Sequence, residues 1–274
     1  MNIRESIKKY PHVEIELLLA HILNQPKEFL YINPAFELSA NQHIRLKKMI
    51  ARRKSGEPVA YILGYKDFVG LRFKVNNNVL IPRPETEELV NKVYQVCKVC
   101  EKKSQIKILD VGTGSGCIAI SLAKKLNISN RKFKIIASDV SKKALTVAKQ
   151  NAKTHRVKVK FIHSDILKNI RMNFDVIVAN LPYVPNTDFK KLEKNLKYEP
   201  KSAIFTKEKG LYMIKKLLSQ MAQLPKKPQY IFLEFDSRQK LALQKLVKNI
   251  LPTGKLIMRK DLFNRWRFAE IVLI

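Results

Sequence analysis

Two short stretches of this 274-residue chain combine residue types and spacings that could do chemistry. In the first, Gly112, Thr113, Gly114, Ser115 and Gly116 follow the apolar run KILDV. Glycine has no Cβ and accepts positive φ, so this order lets backbone approach a ligand closely. A helix starting just after it would point free N–H groups at the same place. A dinucleotide fingerprint needs a further glycine at 117, where this chain has Cys117. The glycines alone would equally suit an ordinary strand-to-helix turn. Two acids sharpen the reading. Asp139 closes the run KIIASD, where a carboxylate can accept hydrogen bonds from both hydroxyls of a ribose. Asp165 closes KFIHSD, within reach of an adenine ring, and Ile166 beside it can pack on the ring face. Either acid could instead cap a helix. Polar contacts at three consecutive strand ends describe a switch point for an adenosine-type ligand.

The second stretch is Asn180, Leu181, Pro182 and Tyr183, which ends the apolar run DVIVA and so belongs to the same sheet edge. These residues suit a planar amide or amine. Making such a nitrogen attack an electrophile is hard because its lone pair is delocalised into the π system. A site helps by accepting hydrogen bonds from the two N–H hydrogens, which moves charge onto nitrogen and aims its lone pair. The Asn180 side-chain oxygen and the Leu181 carbonyl are the two acceptors this tetrapeptide offers. Pro182 pushes Leu181 toward an extended conformation, which aims that carbonyl, and Tyr183 can pack on the planar group.

Several elements must position these residues. Pro11 to Leu23 carries Ile15, Leu18, Leu19, Ile22 and Leu23, the stripe of an amphipathic helix. Ser39 with Gln42 predicts a capping box, and a second helix runs to about Lys54, stopped by Gly56 and Pro58. Residues 1–57 therefore read as a small helical domain. Residues 58–82 read as a β-hairpin linker, with Ala60 to Ile81 alternating and Asn76 to Asn78 marking its turn. Residues 83–274 read as the main domain. A helix at about Thr86 to Val99 leads to strands near 106–111, 133–138, 157–162, 174–179 and 229–235, with helices near 116–126, 141–153, 207–223 and 237–249. This alternation predicts a doubly wound α/β fold, a mostly parallel seven-stranded sheet with helices on both faces. Lys255 to Arg259 and Trp266 to Ile274 add a terminal antiparallel hairpin.

Composition bounds the partners. The net charge is +30, from 53 Lys and Arg against 23 Asp and Glu, but 40 of the basic residues are Lys scattered in ones and twos. Recognition of bases and phosphates tends to use Arg forks in clusters, so the charge reads as solvated faces with non-specific, salt-sensitive RNA or ribosome contact. No run of eighteen apolar residues predicts a membrane span, and the charged first residues do not suit a signal peptide. Three cysteines cannot form a disulfide framework in a chain this long, so a cytoplasmic location is expected. Cys97 and Cys100 have the spacing of a zinc or redox pair, but there is no second pair and the five His are dispersed, so no metal is assigned. Glu199 reads as a substrate contact or a solvated acid, and Trp266 as core.

The glycine turn with Asp110 before it, the acid on the second strand and the terminal hairpin resemble the class I S-adenosylmethionine-dependent methyltransferases. A sulfonium cation favours a neighbouring carboxylate such as Asp110, whereas a pyrophosphate would not. Asn180 to Tyr183 resembles the (Asn/Asp)-Pro-Pro-(Tyr/Phe) signature of methyltransferases acting on adenine N6 or glutamine amide, with Leu181 in the first proline position. The segment GEPVAYILGYKDFVGLRFKVNNNVLIPRPETEELV, with YEPKSAIF, FLEFDSRQ and KDLFNRWRFAEI, resembles the release factor glutamine methyltransferases, the PrmC/HemK family. That resemblance implies N5-methylation of the glutamine in the Gly-Gly-Gln loop of peptide chain release factors, with S-adenosylhomocysteine as product and a helical release-factor-binding domain. It implies cofactor contacts from Asp110, the turn Gly112 to Gly116, Asp139, Asp165, Ile166 and Asn180, and a substrate amide held by Asn180 to Tyr183. It also implies that Arg83, Pro84, Glu85 and Thr86 close over the pocket, with Glu85 and Thr86 among the cofactor contacts. The rival readings are an N6-adenine methyltransferase acting on ribosomal RNA or DNA, and a non-catalytic RNA or ribosome partner. Ribosomal RNA adenine dimethyltransferases place their glycine turn near the N-terminus, whereas about a hundred residues precede it here.

Overall fold

Helices in the first part of the chain begin where a side chain accepts hydrogen bonds from the unpartnered N–H groups of a first turn. Asn2 and Glu5 form a capping box over α1 (Ile3–Lys9). Next come α2 (Glu14–Leu23), α3 (Lys27–Ile32) and α4 (Ala40–Lys54), and Ser39 and Gln42 make the expected box at the start of α4. Ile15, Leu18, Leu19 and Ile22 of α2 share a core with Leu46, Met49 and Ile50 of α4. The computed structural model describes residues 1–11, 14–99, 105–126, 132–191 and 194–273. The chain divides into a helical unit, Met1–Tyr65 with the 3-10 helix Lys194–Tyr198, and a sheet unit formed by the rest. The boundary at Tyr65 differs from the expected one at 57, because a further helix, α5 (Val59–Leu63), contributes Ile62 to the helical core.

Residues 60–63 are thus helical where alternation predicts a strand. Gly64 ends α5 at φ +81, its N–H bonding to Ala60 O at 2.9 Å. The hairpin that follows is shorter than expected, β1 (Tyr65–Phe68) and β2 (Leu71–Lys74), and it turns at Val69 and Gly70, with φ +50 and +70. Asn76 to Asn78 forms a separate turn after it, closed by Asn78 N–H on Asn76 Oδ1 at 3.0 Å. Asn151 anchors β2 to the sheet unit through both Lys74 N–H and Lys74 O, at 2.8 and 3.0 Å.

The sheet unit continues with α6 (Pro84–Val99), β3 (Gln105–Val111), α7 (Cys117–Leu126), β4 (Lys132–Asp139), α8 (Lys142–Thr154), β5 (Val159–His163) and β6 (Val176–Ala179). Two-residue strands β7 (Val184–Pro185) and β8 (Phe205–Thr206) pair with each other, with α9 (Lys201–Ile204) just before β8. The helix expected over 207–223 is instead a 3-10 turn, Glu208–Gly210, followed by α10 (Tyr212–Ala222), because Lys209 and Gly210 have φ +52 and +93. Then come β9 (Tyr230–Glu234), α11 (Lys240–Ile250), β10 (Lys255–Lys260) and β11 (Trp266–Val272).

The seven strands lie in the order β10-β11-β9-β6-β3-β4-β5, parallel except for the antiparallel β10 and β11, as the alternation and the terminal hairpin predict. Helices pack two buried apolar layers on it. One contains Leu109, Ile177, Leu217 and Leu243, the other Ile108, Val178, Leu89 and Ile120. Register fixes the active edge: Val111 pairs with Ser138 and Ala179, and Ala179 with Leu233. The next residues along these strands, Gly112, Asp139, Asn180 and Glu234, therefore leave the sheet side by side. Among the described residues no helix is long and apolar enough to cross a membrane.

Candidate active site

At the carboxyl edge of β3 the chain must turn sharply and restart as a helix. Gly112, Gly114 and Gly116 supply φ +74, +55 and +83. The turn is braced from behind by Asp110, which is fully buried; its Oδ2 accepts from Thr113 Oγ1 at 2.6 Å and from Ala119 N–H at 3.2 Å. Its Oδ1 has no partner among the described residues, and burial pushes its pKa up to about 7 against the pull of those two donors. Gly112 and Thr113 N–H donate to Ser138 O, Gly116 N–H to Thr113 O, and Gly114 N–H to Asp139 Oδ2 at 2.9 Å. The N–H groups of Gly112, Thr113, Gly114 and Gly116 are thus consumed inside the protein, and what the turn offers a ligand there is an open glycine surface beside a carboxylate. Asp139 Oδ1 also accepts from Ser141 N–H at 2.8 Å, and burial raises its pKa above the ordinary carboxylate value while these N–H groups oppose it.

In front of the turn lies a cavity open to solvent. Of the residues singled out from the sequence, Gly112, Gly114, Asp139, Asp165, Ile166, Asn180, Leu181 and Pro182 line it. Asp110, Thr113, Ser115 and Gly116 lie outside its lining. Asp165 forms an ion pair with Lys216 at 2.5 Å. Ile166 is buried at φ +54, a conformation a β-branched side chain rarely adopts. The lining also includes Asn78 to Leu80, Val140, Ser141, Ser164, Pro200, Ser202, Ala203 and Met213, which sequence reasoning did not select. Among the described residues lining it there are two acids and no Lys or Arg, in a chain of net charge +30. Asp165 is offset by Lys216, so Asp139 is the lining acid without an ion pair among the described residues, and a lining of this kind suits a cation carrying hydroxyls better than a phosphate.

The Asn180 turn closes the same cavity. Asn180 Nδ2 donates inward to Thr86 Oγ1 and Glu234 Oε2, both at 3.0 Å, so the amide oxygen is the end left for the cavity. Tyr183 does not line the cavity; its hydroxyl donates to Glu234 Oε1 at 2.9 Å, and burial with that carboxylate raises its pKa well above the ordinary phenol. Gln239 Nε2 holds the Tyr183 carbonyl at 2.7 Å, and Gly210 leaves the room this needs, since a Cβ there would meet Gln239 Nε2 at 2.0 Å and Tyr183 O at 2.1 Å. Leu181 is buried, and its Cδ2 would lie 3.0 Å from a Cβ on Gly112, so the two turns touch.

The segment 83–86 does not line the cavity as expected. Thr86 is buried behind Asn180, and Glu85 is only partly exposed. Arg83 pairs with Glu199 at 2.5 Å, and Glu199 also accepts from Ile81 N–H at 2.9 Å. Glu199 is thus a buried brace, 4 % exposed, rather than a solvated acid. Trp266 is half-buried against the core, with Lys240 Nζ 3.7 Å over its ring. Cys100 and His12 lie outside the described residues, Cys97 is buried in the core, and among the described residues no group of three or more His, Cys, Asp or Glu gathers as a metal site.

Comparison with known proteins decides the family. The Methyltransferase small domain model matches residues 94–204, and the PrmC N-terminal domain model matches 4–64. A release factor glutamine methyltransferase of Koribacter versatilis is 41% identical over 214 residues, 77% of this chain and 74% of that protein. One from Lactococcus lactis is 34% identical over 251 residues, 91% and 90% of the two chains. The chain belongs to the release factor glutamine methyltransferases. Among solved structures, the hMettl16 catalytic domain in complex with the MAT2A 3'UTR hairpin 1 superimposes with a TM-score of 0.60 over 93% of this chain and 90% of that one; at 16% identity it shares the fold. Within this methyltransferase, the N-terminal match stops next to the structural boundary at Tyr65, and the other spans both the glycine turn and the Asn180 turn.

Proposed function

We propose that this chain transfers a methyl group from S-adenosylmethionine to the side-chain amide nitrogen of the glutamine in the Gly-Gly-Gln motif of peptide chain release factors, which work at the ribosome and so place the reaction in the cytoplasm. The observation that carries it is Asn180, whose nitrogen is committed inward so that its oxygen faces the cavity formed by the glycine turn and Asp139.

The site fits the cofactor. Gly112 and Gly114 leave room beside backbone, Asp139 offers carboxylate oxygens to ribose hydroxyls, and Ile166 offers an apolar face to a purine. Ser141 and Asp165 complete that side, and the absence of Lys and Arg from the described lining suits a cationic sulfur. When bound, the cofactor supplies an electrophilic methyl group on sulfur. The chain's own part is to bind, orient and polarise the amide. Asn180 Oδ1 and the Leu181 carbonyl accept hydrogen bonds from the substrate NH2 group. This draws density onto nitrogen and turns its lone pair out of conjugation, toward the cofactor. No base is needed beforehand, because the nitrogen becomes acidic once methylated and then loses its proton to water. Pro182 and the buried Leu181 keep the carbonyl in place.

The helical unit is assigned to release-factor binding. Supporting this, Tyr31, Ile32 and Phe36 lie exposed on or just after α3, at 63%, 76% and 44%, an unusual concentration of large apolar surface.

Incubation with methyl-labelled cofactor and a purified release factor should label the tryptic peptide containing Gly-Gly-Gln. Label appearing in ribosomal RNA and not in that peptide would overturn the assignment.

A further inference from the structure

Glu234 ends β9 beside Asn180 and is almost completely buried. Its Oε2 receives Thr86 Oγ1–H at 2.8 Å and Asn180 Nδ2–H at 3.0 Å, and its Oε1 receives Tyr183 O–H at 2.9 Å. Every described residue that hydrogen-bonds to this carboxyl is a donor, so a proton on it would oppose one of them, and the ionised form satisfies all three. Thr86 has a single hydroxyl hydrogen and spends it on Glu234. Toward Asn180 it can therefore only accept, which it does at 3.0 Å. The inner side of Asn180 thus faces two acceptors.

The consequence is chemical rather than steric. The oxygen and NH2 ends of an asparagine amide are nearly the same size, so packing alone would tolerate either orientation. With the amide flipped, its oxygen would meet a carboxylate oxygen and a hydroxyl lone pair, and its NH2 would point into the cavity, where it could not accept a hydrogen bond from a substrate N–H. We propose that Glu234 is a positioning residue that fixes the polarity of the Asn180 amide, with Thr86 relaying the same constraint. It makes the site select substrates that present an NH2 group and reject those that present a carbonyl or carboxylate. This rests on the reading above that the acceptor is an amide nitrogen held by Asn180 Oδ1. It also explains why residues as distant in sequence as Thr86, Asn180 and Glu234, separated by up to 148 positions, meet in one buried cluster.

The test is an exchange of donor and acceptor. Glu234→Gln preserves shape but supplies an NH2 end, so kcat is expected to fall ~30-fold or more with cofactor Kd changed less than about threefold. Asn180→Asp alone sets two carboxylates against each other and should also lose activity. Combining Asn180→Asp with Glu234→Gln restores complementarity, since the Gln NH2 faces one Asp oxygen and leaves the other for the cavity. The pair should regain ~10-fold or more over either single variant, whereas a residue that merely held the loop would give additive losses. No recovery, or wild-type kcat in Glu234→Gln, overturns the proposal. A second measurement does not depend on the substrate. The Asn180 side-chain NH2 resonance, assigned by its loss in Asn180→Asp, should exchange slowly with solvent in the wild type and rapidly in Glu234→Gln. Unchanged exchange overturns the proposal. A wild type that methylates no Gly-Gly-Gln glutamine yet shows this difference in exchange would overturn the functional assignment alone.

Discussion

At the scale of single residues, Asn180 and Asp110 carry opposite kinds of work. Asn180 is the residue proposed to hold the substrate amide, so Asn180→Ala should cost about 100-fold or more in kcat while cofactor affinity by calorimetry stays within about threefold. Equal loss in both would move Asn180 into cofactor binding. Asp110 works from behind the turn. Because burial lifts its pKa from 3.8 to about 7, the folded state prefers the protonated form. The resulting stabilisation is complete below the unfolded carboxylate range and is lost as pH rises toward 7, beyond which the buried charge costs up to ~4 kcal/mol. Asp110→Asn carries no charge at any pH. The stability of the wild type relative to this variant, from denaturant unfolding without cofactor, should therefore fall between pH 4 and pH 8. A difference that stays flat with pH would show that Asp110 does not titrate there.

At the scale of elements, the two turns are rigid because neighbouring elements leave them no alternative. Gly116 sits at φ +83 where α7 meets α8, and a Cβ would come within 2.8 Å of Ile120 Cδ1 and 3.2 Å of Ala148 Cβ. Gly116→Ala should destabilise the fold by ~2–4 kcal/mol in denaturant unfolding. The strands, the sheet direction and the Ser39 capping box were legible because each has a local signature: an apolar run, a glycine turn, or an acceptor three residues before its partner. The run Ala60 to Leu63 was not, since five residues between Pro58 and Gly64 span barely one helical turn and show no period. Glu234 was hidden for a different reason. FLEFD reads as a strand with an acid at its end, and only the sheet register brings that acid beside Asn180 and Thr86. Ser141 and Met213 likewise reach the cavity from elements whose sequence carries no ligand signal. Leu181, the departure from the usual proline, is explained by packing, because its side chain joins the core and covers Gly112.

At the scale of the whole molecule, the chain divides into two units, and the proposed release-factor surface and the cavity lining fall in different ones. Ile32→Asp on the exposed face of α3 should raise KM for the release factor ~10-fold with kcat unchanged, since the substitution lies in the unit whose described residues line no part of the cavity. A fall in kcat at saturating release factor would show that the helical unit shapes the chemistry as well. The cavity, whose described lining holds no Lys or Arg, set in a chain of net charge +30, has a kinetic counterpart. A sulfonium cofactor carries net positive charge and must cross a repulsive field to reach its site, whereas the demethylated product is neutral and feels almost none. Added salt screens that field, so cofactor should associate faster as ionic strength rises while product binding barely responds. An RNA attracted to the same field would show the reverse, binding more weakly as salt is added, and stopped-flow measurements of cofactor and product at two salt concentrations check the expected asymmetry.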